Sequence, residues 1–142
     1  MMRRGLLWIL LLSLPALAAR ADDKTDAIAE RLFPPELIMA KQRELGIDDR
    51  QRDAIVKEIQ ALQTRVVELQ WQMQAAVGAL LELLDAPRID EARALAAADK
   101  VMAVEREVKK LHLGTLIRIR NLLTDAQRAR LATLRAGAGK AP

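Results

Sequence analysis

Apolar residues recur along most of this chain at alternating steps of four and three. From 48 onward the line runs Ile55, Ile59, Leu62, Val66, Leu69, Met73, Ala76, Leu80 and Leu83. That is a heptad seam, the pattern of a helix packed lengthwise against another. Asp48 is placed to cap this helix, and Gln51 follows at capping-box spacing. A helix running to about Leu84 is on the order of 50 Å long at 1.5 Å per residue. Asp85-Ala86-Pro87 ends it, because a proline drives the preceding residue out of helical geometry.

Asp90 then caps a second long helix reaching about Leu122. Its apolar line is read as Leu95, Ala98, Val101, Val104, Val108, Leu111, Thr115, Ile119 and Leu122, shifting between Thr115 and Ile119. A short connection between two long helices predicts an antiparallel hairpin. Two short helices flank it. One starts at Pro34-Pro35, with Pro35 suited to the first helical position, and stops at Gly46. The other starts at Thr124, with Gln127 three residues on and Leu131 and Leu134 as its apolar face. The expected fold is all-α, with four helices in a domain spanning 34–136. Residues 22–33 are expected to be a mobile segment and 137–142 a disordered tail.

The first residues follow another pattern. Arg3 and Arg4 precede an apolar run over 5–14, Pro15 breaks it, and Ala16-Leu17-Ala18 and Ala19-Arg20-Ala21 each fit an A-x-A cleavage site. These are the three regions of a secretory signal peptide, so 1–21 is assigned as one, cleaved after Ala18 or Ala21. The run is too short to span a bilayer, which takes about 20 apolar residues. No stable membrane span is expected after cleavage, and the protein is expected outside the cytosol.

Export changes how the charge is read. The formal charge of +4 includes Arg3 and Arg4, and Arg20 if the cut falls after Ala21. Acidic residues nearly balance what remains, which argues against nucleic acid as a partner. The chain has no Cys, so packing alone must hold an exported fold. Aromatics are only 2%, while Ala, Leu, Arg, Glu and Gln, good helix formers, dominate.

The same residues argue against an enzyme. Beyond position 21 there is no Ser, Cys or Tyr, and His112 is the only imidazole. The usual nucleophile and base pairs are missing, as is a Gly-rich phosphate loop. As a metal ligand His112 is a weak candidate. Its helical neighbours are Val108, Lys109, Thr115 and Leu116, and Met39, Met73 and Met102 are scattered, whereas metal sites need converging ligands. No cofactor is expected. Helix surface or dimer edge is the plainer role for His112.

Two features point to binding. Val67, Trp71, Gly78 and Leu81 form a second stripe on the side of the long helix away from its seam, with Gln74 filling the gap. A homodimer partner is the simpler occupant, and a client protein the functional one. Arg65, Lys109, Lys110, Arg118 and Arg120 suit acidic segments, or keep a long helix in solution.

The second feature is an internal echo. Ile47-Asp48-x-x-Gln51 matches Leu123-Thr124-x-x-Gln127 in type, and each opens a helix. The second copy is an LTxxQ motif and the first a degenerate one, with Asp where Thr is usual. With the Pro-Pro-Glu-Leu helix start, the intervening hairpin and the signal peptide, the chain resembles the Spy/CpxP-like periplasmic family from about Pro34 to Leu134. That family includes a heavy-metal resistance and sensor branch. The resemblance implies a four-helix protomer that dimerises into a thin cradle. It implies a chaperone-like or envelope-stress role, with unfolded clients or a stress sensor as partners. The alternative is metal sensing or resistance, although this chain lacks the several His residues of the metal-sensing relatives.

Overall fold

The computed structural model describes residues 27–138. The assigned signal peptide, residues 22–26 of the segment expected to be mobile, and 139–142 lie outside them. The chain divides after Arg31 into two compact units. Of the first, residues 27–29 are helical. The second carries helices α1 (Pro35–Ala40), α2 (Gln42–Leu45), α3 (Asp49–Leu84), α4 (Glu91–Asn121) and α5 (Asp125–Ala138). Among the described residues there is no strand, and the fold is all-α.

The first short helix is broken where one continuous helix was expected. Lys41, at φ −108° and ψ 12°, separates α1 from α2. Pro34 and Pro35 start α1 as predicted, with no side chain capping it. Gly46 ends α2 in the left-handed region at φ 64°. There a side chain would meet the following carbonyl, so glycine is the residue that fits.

Helices α3 and α4 pack along their length as the hairpin. All nine predicted seam residues of α3 are buried or half-buried, with Ile55 and Leu69 fully so. The α4 seam differs from the expected line at its start. Leu95 is 58% exposed, while Ala94 and Ala97 are buried. Steps from 95 to 98 to 101 to 104 are all threes, and each such step falls about 60° short of a full turn. The alternation of four and three, traced back from Val101, instead reaches Ala97 and Ala94.

The main core lies at the open end of the hairpin. Phe33, Ile38, Leu45, Ile55, Ile119, Leu123 and Leu131 form it, with Leu37, Ile47, Ile59, Leu122 and Leu134 against its rim. Burial of each large side chain stabilises the fold by about 1.5–3 kcal/mol. Leu32 and Phe33 close this core, although they belong to the segment expected to be mobile. The reason is on α5. The Arg135 guanidinium lies over the Phe33 ring at 4.9 Å from its centroid, and its Nη2 donates to the Leu32 carbonyl at 2.6 Å. Helix α5 also runs through Gly137 to Ala138, past the expected start of the tail.

Candidate functional site

Each echo caps the helix it opens. The Gln51 backbone N–H donates to Asp48 Oδ1 at 2.7 Å, and the Asp48 N–H donates back to Gln51 Oε1 at 3.3 Å. At the second copy the Gln127 N–H donates to Thr124 Oγ1 at 3.2 Å, and the Thr124 N–H to Gln127 Oε1 at 2.9 Å. Two N–H groups that a helix start leaves unbonded are thus satisfied at each copy.

The two boxes also meet. Gln51 Nε2 donates to Gln127 Oε1 at 2.8 Å, and Gln127 Nε2 donates to Gln51 Oε1 at 3.1 Å. Each amide then spends its remaining N–H on the loop before the other copy's helix. Gln51 Nε2 reaches the Leu122 carbonyl at 3.0 Å, and Gln127 Nε2 the Leu45 carbonyl at 3.3 Å. A primary amide offers two donors and two acceptor sites. In both glutamines all four are used. Gln127 is buried, and no buried side-chain polar atom among the described residues is left unpartnered.

This arrangement explains the residue type. A capping box accepts Glu or Gln at its third position, but here each side chain must donate as well as accept. Two carboxylates would repel across the contact and leave the Leu122 and Leu45 carbonyls without donors. Asn is one carbon too short to reach from cap to partner. Ile47 and Leu123, the residues before the caps, turn into the core, half-buried and buried respectively. The loop carbonyls are the part that sequence reasoning missed, since a carbonyl carries no residue-type signal. What the motif pair does chemically is hold: neutral, neither nucleophilic nor acidic, it fixes how α2, α3, α4 and α5 join.

The hairpin's charges are partly committed. Arg65 bonds Glu68 Oε2 at 2.6 Å and also Glu107 across the hairpin. The Glu107 contact, then that of Glu68, holds the Arg65 guanidinium above its usual pKa. Arg118 reaches Glu58 Oε2 at 2.7 Å and Thr115 Oγ1 at 3.1 Å. These two arginines therefore tie α3 to α4. Being half-exposed or nearly so, such ties add little stability and chiefly fix register.

The second stripe is open. Trp71 is 70% exposed, Val67 52% and Leu81 53%. A Cβ added at Gly78 would meet nothing within 4 Å. His112 lies exposed on α4, its Nδ1 3.0 Å from the Val108 carbonyl, and the structure gathers no ligand set around it. Among the described residues no group of three or more His, Cys, Asp or Glu is placed to hold a metal ion. Nor is any described helix long and apolar enough to cross a membrane. Compared with family profiles, curated proteins and solved structures, the chain matches none.

Proposed function

We propose that this chain is a Spy/CpxP-like accessory protein of the periplasm, binding unfolded or partner proteins in a chaperone-like way and carrying out no covalent chemistry. In this reading four-helix protomers, counting α1 and α2 as one bent helix, pair into a cradle-shaped homodimer, and the stripe around Trp71 serves contact. The observation that carries the reading is the meeting of the two motif copies. Gln51 and Gln127 stand 76 residues apart in sequence and yet form one reciprocal amide pair. A chance likeness between two helix starts gives no reason for them to join. The exposed apolar residues Val67, Trp71 and Leu81 add a surface suited to binding.

The test presents two challenges to the purified protein, an aggregating client and a panel of zinc, nickel and copper ions. Suppressed aggregation is expected, unchanged by His112→Ala and reduced by Val67→Glu or Leu81→Glu. Tight stoichiometric metal binding that disappears with His112→Ala, together with no effect on the client, would refute the reading in favour of metal sensing.

A further inference from the structure

The outer face of α4 mixes apolar and basic side chains along one line. The line runs Leu95, Met102, Arg106, Lys109, Leu113, Ile117 and Arg120. Each lies two residues from a seam position, just over half a turn round the helix. The four apolar members are 40–58% exposed, where a helix serving only to stay in water would carry polar residues. Charge changes along the line. Glu91 and Asp99 border Leu95, but over 106–121 Glu107 is the only acidic residue, against Arg106, Lys109, Lys110, Arg118 and Arg120. Glu107 is taken up by Arg65. The carboxylates that α3 brings near, Glu58 and Glu68, are taken up by Arg118 and Arg65. Among the described residues Arg106, Lys109 and Lys110 form no ion pair. Arg106 and Lys110 also line a hollow of about 440 Å³ on the flank toward α3, with Ala103 and Leu111.

We propose that the 106–120 stretch of this face lies on the surface of a lipid bilayer bearing anionic phosphodiester headgroups. The inference goes beyond the client binding proposed above and does not depend on it. Arg106, Lys109, Lys110 and Arg120 stand on either side of Leu113 and Ile117. Their long arms keep the charges at headgroup level while the two apolar side chains dip below it. The hollow beside Arg106 and Lys110 receives one headgroup phosphate. The layout favours a bilayer over an acidic protein. Protein interfaces centre on anchors fitted into shaped pockets, whereas this face is one helix, about 21 Å long at 1.5 Å per residue, with cations interleaved between small apolar contacts. A bilayer conforms to such a face. No described helix is long and apolar enough to cross a membrane, so the attachment is to the surface and reversible. Each cation near an anionic surface strengthens binding about fivefold, and salt screens the attraction.

The test mixes protein purified from the cell envelope with vesicles of phosphatidylcholine alone or of phosphatidylcholine and phosphatidylglycerol in equal parts. The protein is expected to sediment with the anionic vesicles, to stay in solution with the neutral ones, and to be released by raised salt. Arg106→Gln, Lys109→Gln and Lys110→Gln together should weaken binding about a hundredfold, at about fivefold for each cation. Leu113→Gln with Ile117→Gln should weaken it at least tenfold. All five side chains are exposed, so circular dichroism should show the helices intact in both variants. The chain has no cysteine, so one introduced thiol carries a single environment-sensitive dye. The dye on Leu113→Cys should shift to the blue on anionic vesicles, and on Gln74→Cys, exposed on α3, it should not. Vesicle binding without suppression of client aggregation upholds this proposal and refutes the client reading alone. No binding, equal binding to neutral vesicles, or binding untouched by the triple glutamine variant overturns the proposal. Tighter capture of polyglutamate than of anionic vesicles, with no shift at Leu113→Cys, assigns the face to an acidic protein and overturns it as well.

Discussion

Replacing Gln127 with methionine keeps the length of the side chain and deletes its amide. The amide makes five hydrogen bonds, to the Thr124 N–H, the Leu45 and Gly46 carbonyls and both polar atoms of Gln51. A typical bond contributes about 0.5–1.5 kcal/mol net, and a buried group left unpaired costs about 1–3 kcal/mol. Water can reach Gln51, which is half-buried, more easily than the Leu45 carbonyl behind Gln127. The expected loss for Gln127→Met is therefore about 3 kcal/mol, and for Gln51→Met about 2 kcal/mol. Isolated caps lose about 0.5–2 kcal/mol. The double variant leaves no orphaned amide, so its loss should fall short of the sum by about 1 kcal/mol or more. Urea unfolding followed by far-ultraviolet circular dichroism, at one protein concentration so that association stays fixed, measures all four corners of the cycle. Single variants that unfold like the parent, or losses that simply add, would show that the glutamines cap their helices separately and that their contact is incidental.

Thr124→Ala and Asp48→Ala should each cost about 0.5–2 kcal/mol, with Thr124→Asp near neutral because the first copy already uses Asp; unchanged melting in both alanine variants would refute the capping role. Ile119→Ala, at a fully buried position, should cost about 2–5 kcal/mol. By contrast Leu95→Ala should stay within about 0.5 kcal/mol, and a large loss there in the same unfolding assay would restore it to the seam. Mass measurement of protein from the cell envelope should give a chain starting at Ala19 or near Asp22, and an intact Met1 in the cytosol would refute export.

Both long helices were legible because a heptad repeat is a strong, redundant signal, and because Asp48, Pro87 and Asp90 mark their ends. The α4 seam departs from the expected line at Leu95 because Ala94, Ala97 and Ala98 give little hydrophobic contrast, and the leucine beside them is the more apolar residue. The break at Lys41 left no trace, as no glycine or proline accompanies it. The caps could be read from spacing alone, being local. Their union could not, since it depends on the hairpin returning Leu122 to the neighbourhood of Gln51, and the carbonyls it uses are anonymous in sequence. The expectation for Leu32 and Phe33 follows their polar upstream neighbours, while the residue that fixes them, Arg135, lies at the opposite end of the chain.

The position of the glutamine pair sets an order of events in folding. Contacts between α3 and α4 begin a few residues apart at the turn over 85–90 and grow more distant one heptad at a time, so the hairpin can close from its tip like a zipper. Gln51 and Gln127 lie 76 residues apart, and joining them directly carries the full entropy of a long loop. Once the hairpin has zipped, the remaining search is short, for Leu122 already stands beside Gln51 and only α5 has to swing in. The amide pair is therefore a late latch, absent from an early transition state. Mutations there should leave the folding rate nearly unchanged and speed unfolding, making the pair a determinant of how long the protein persists once folded.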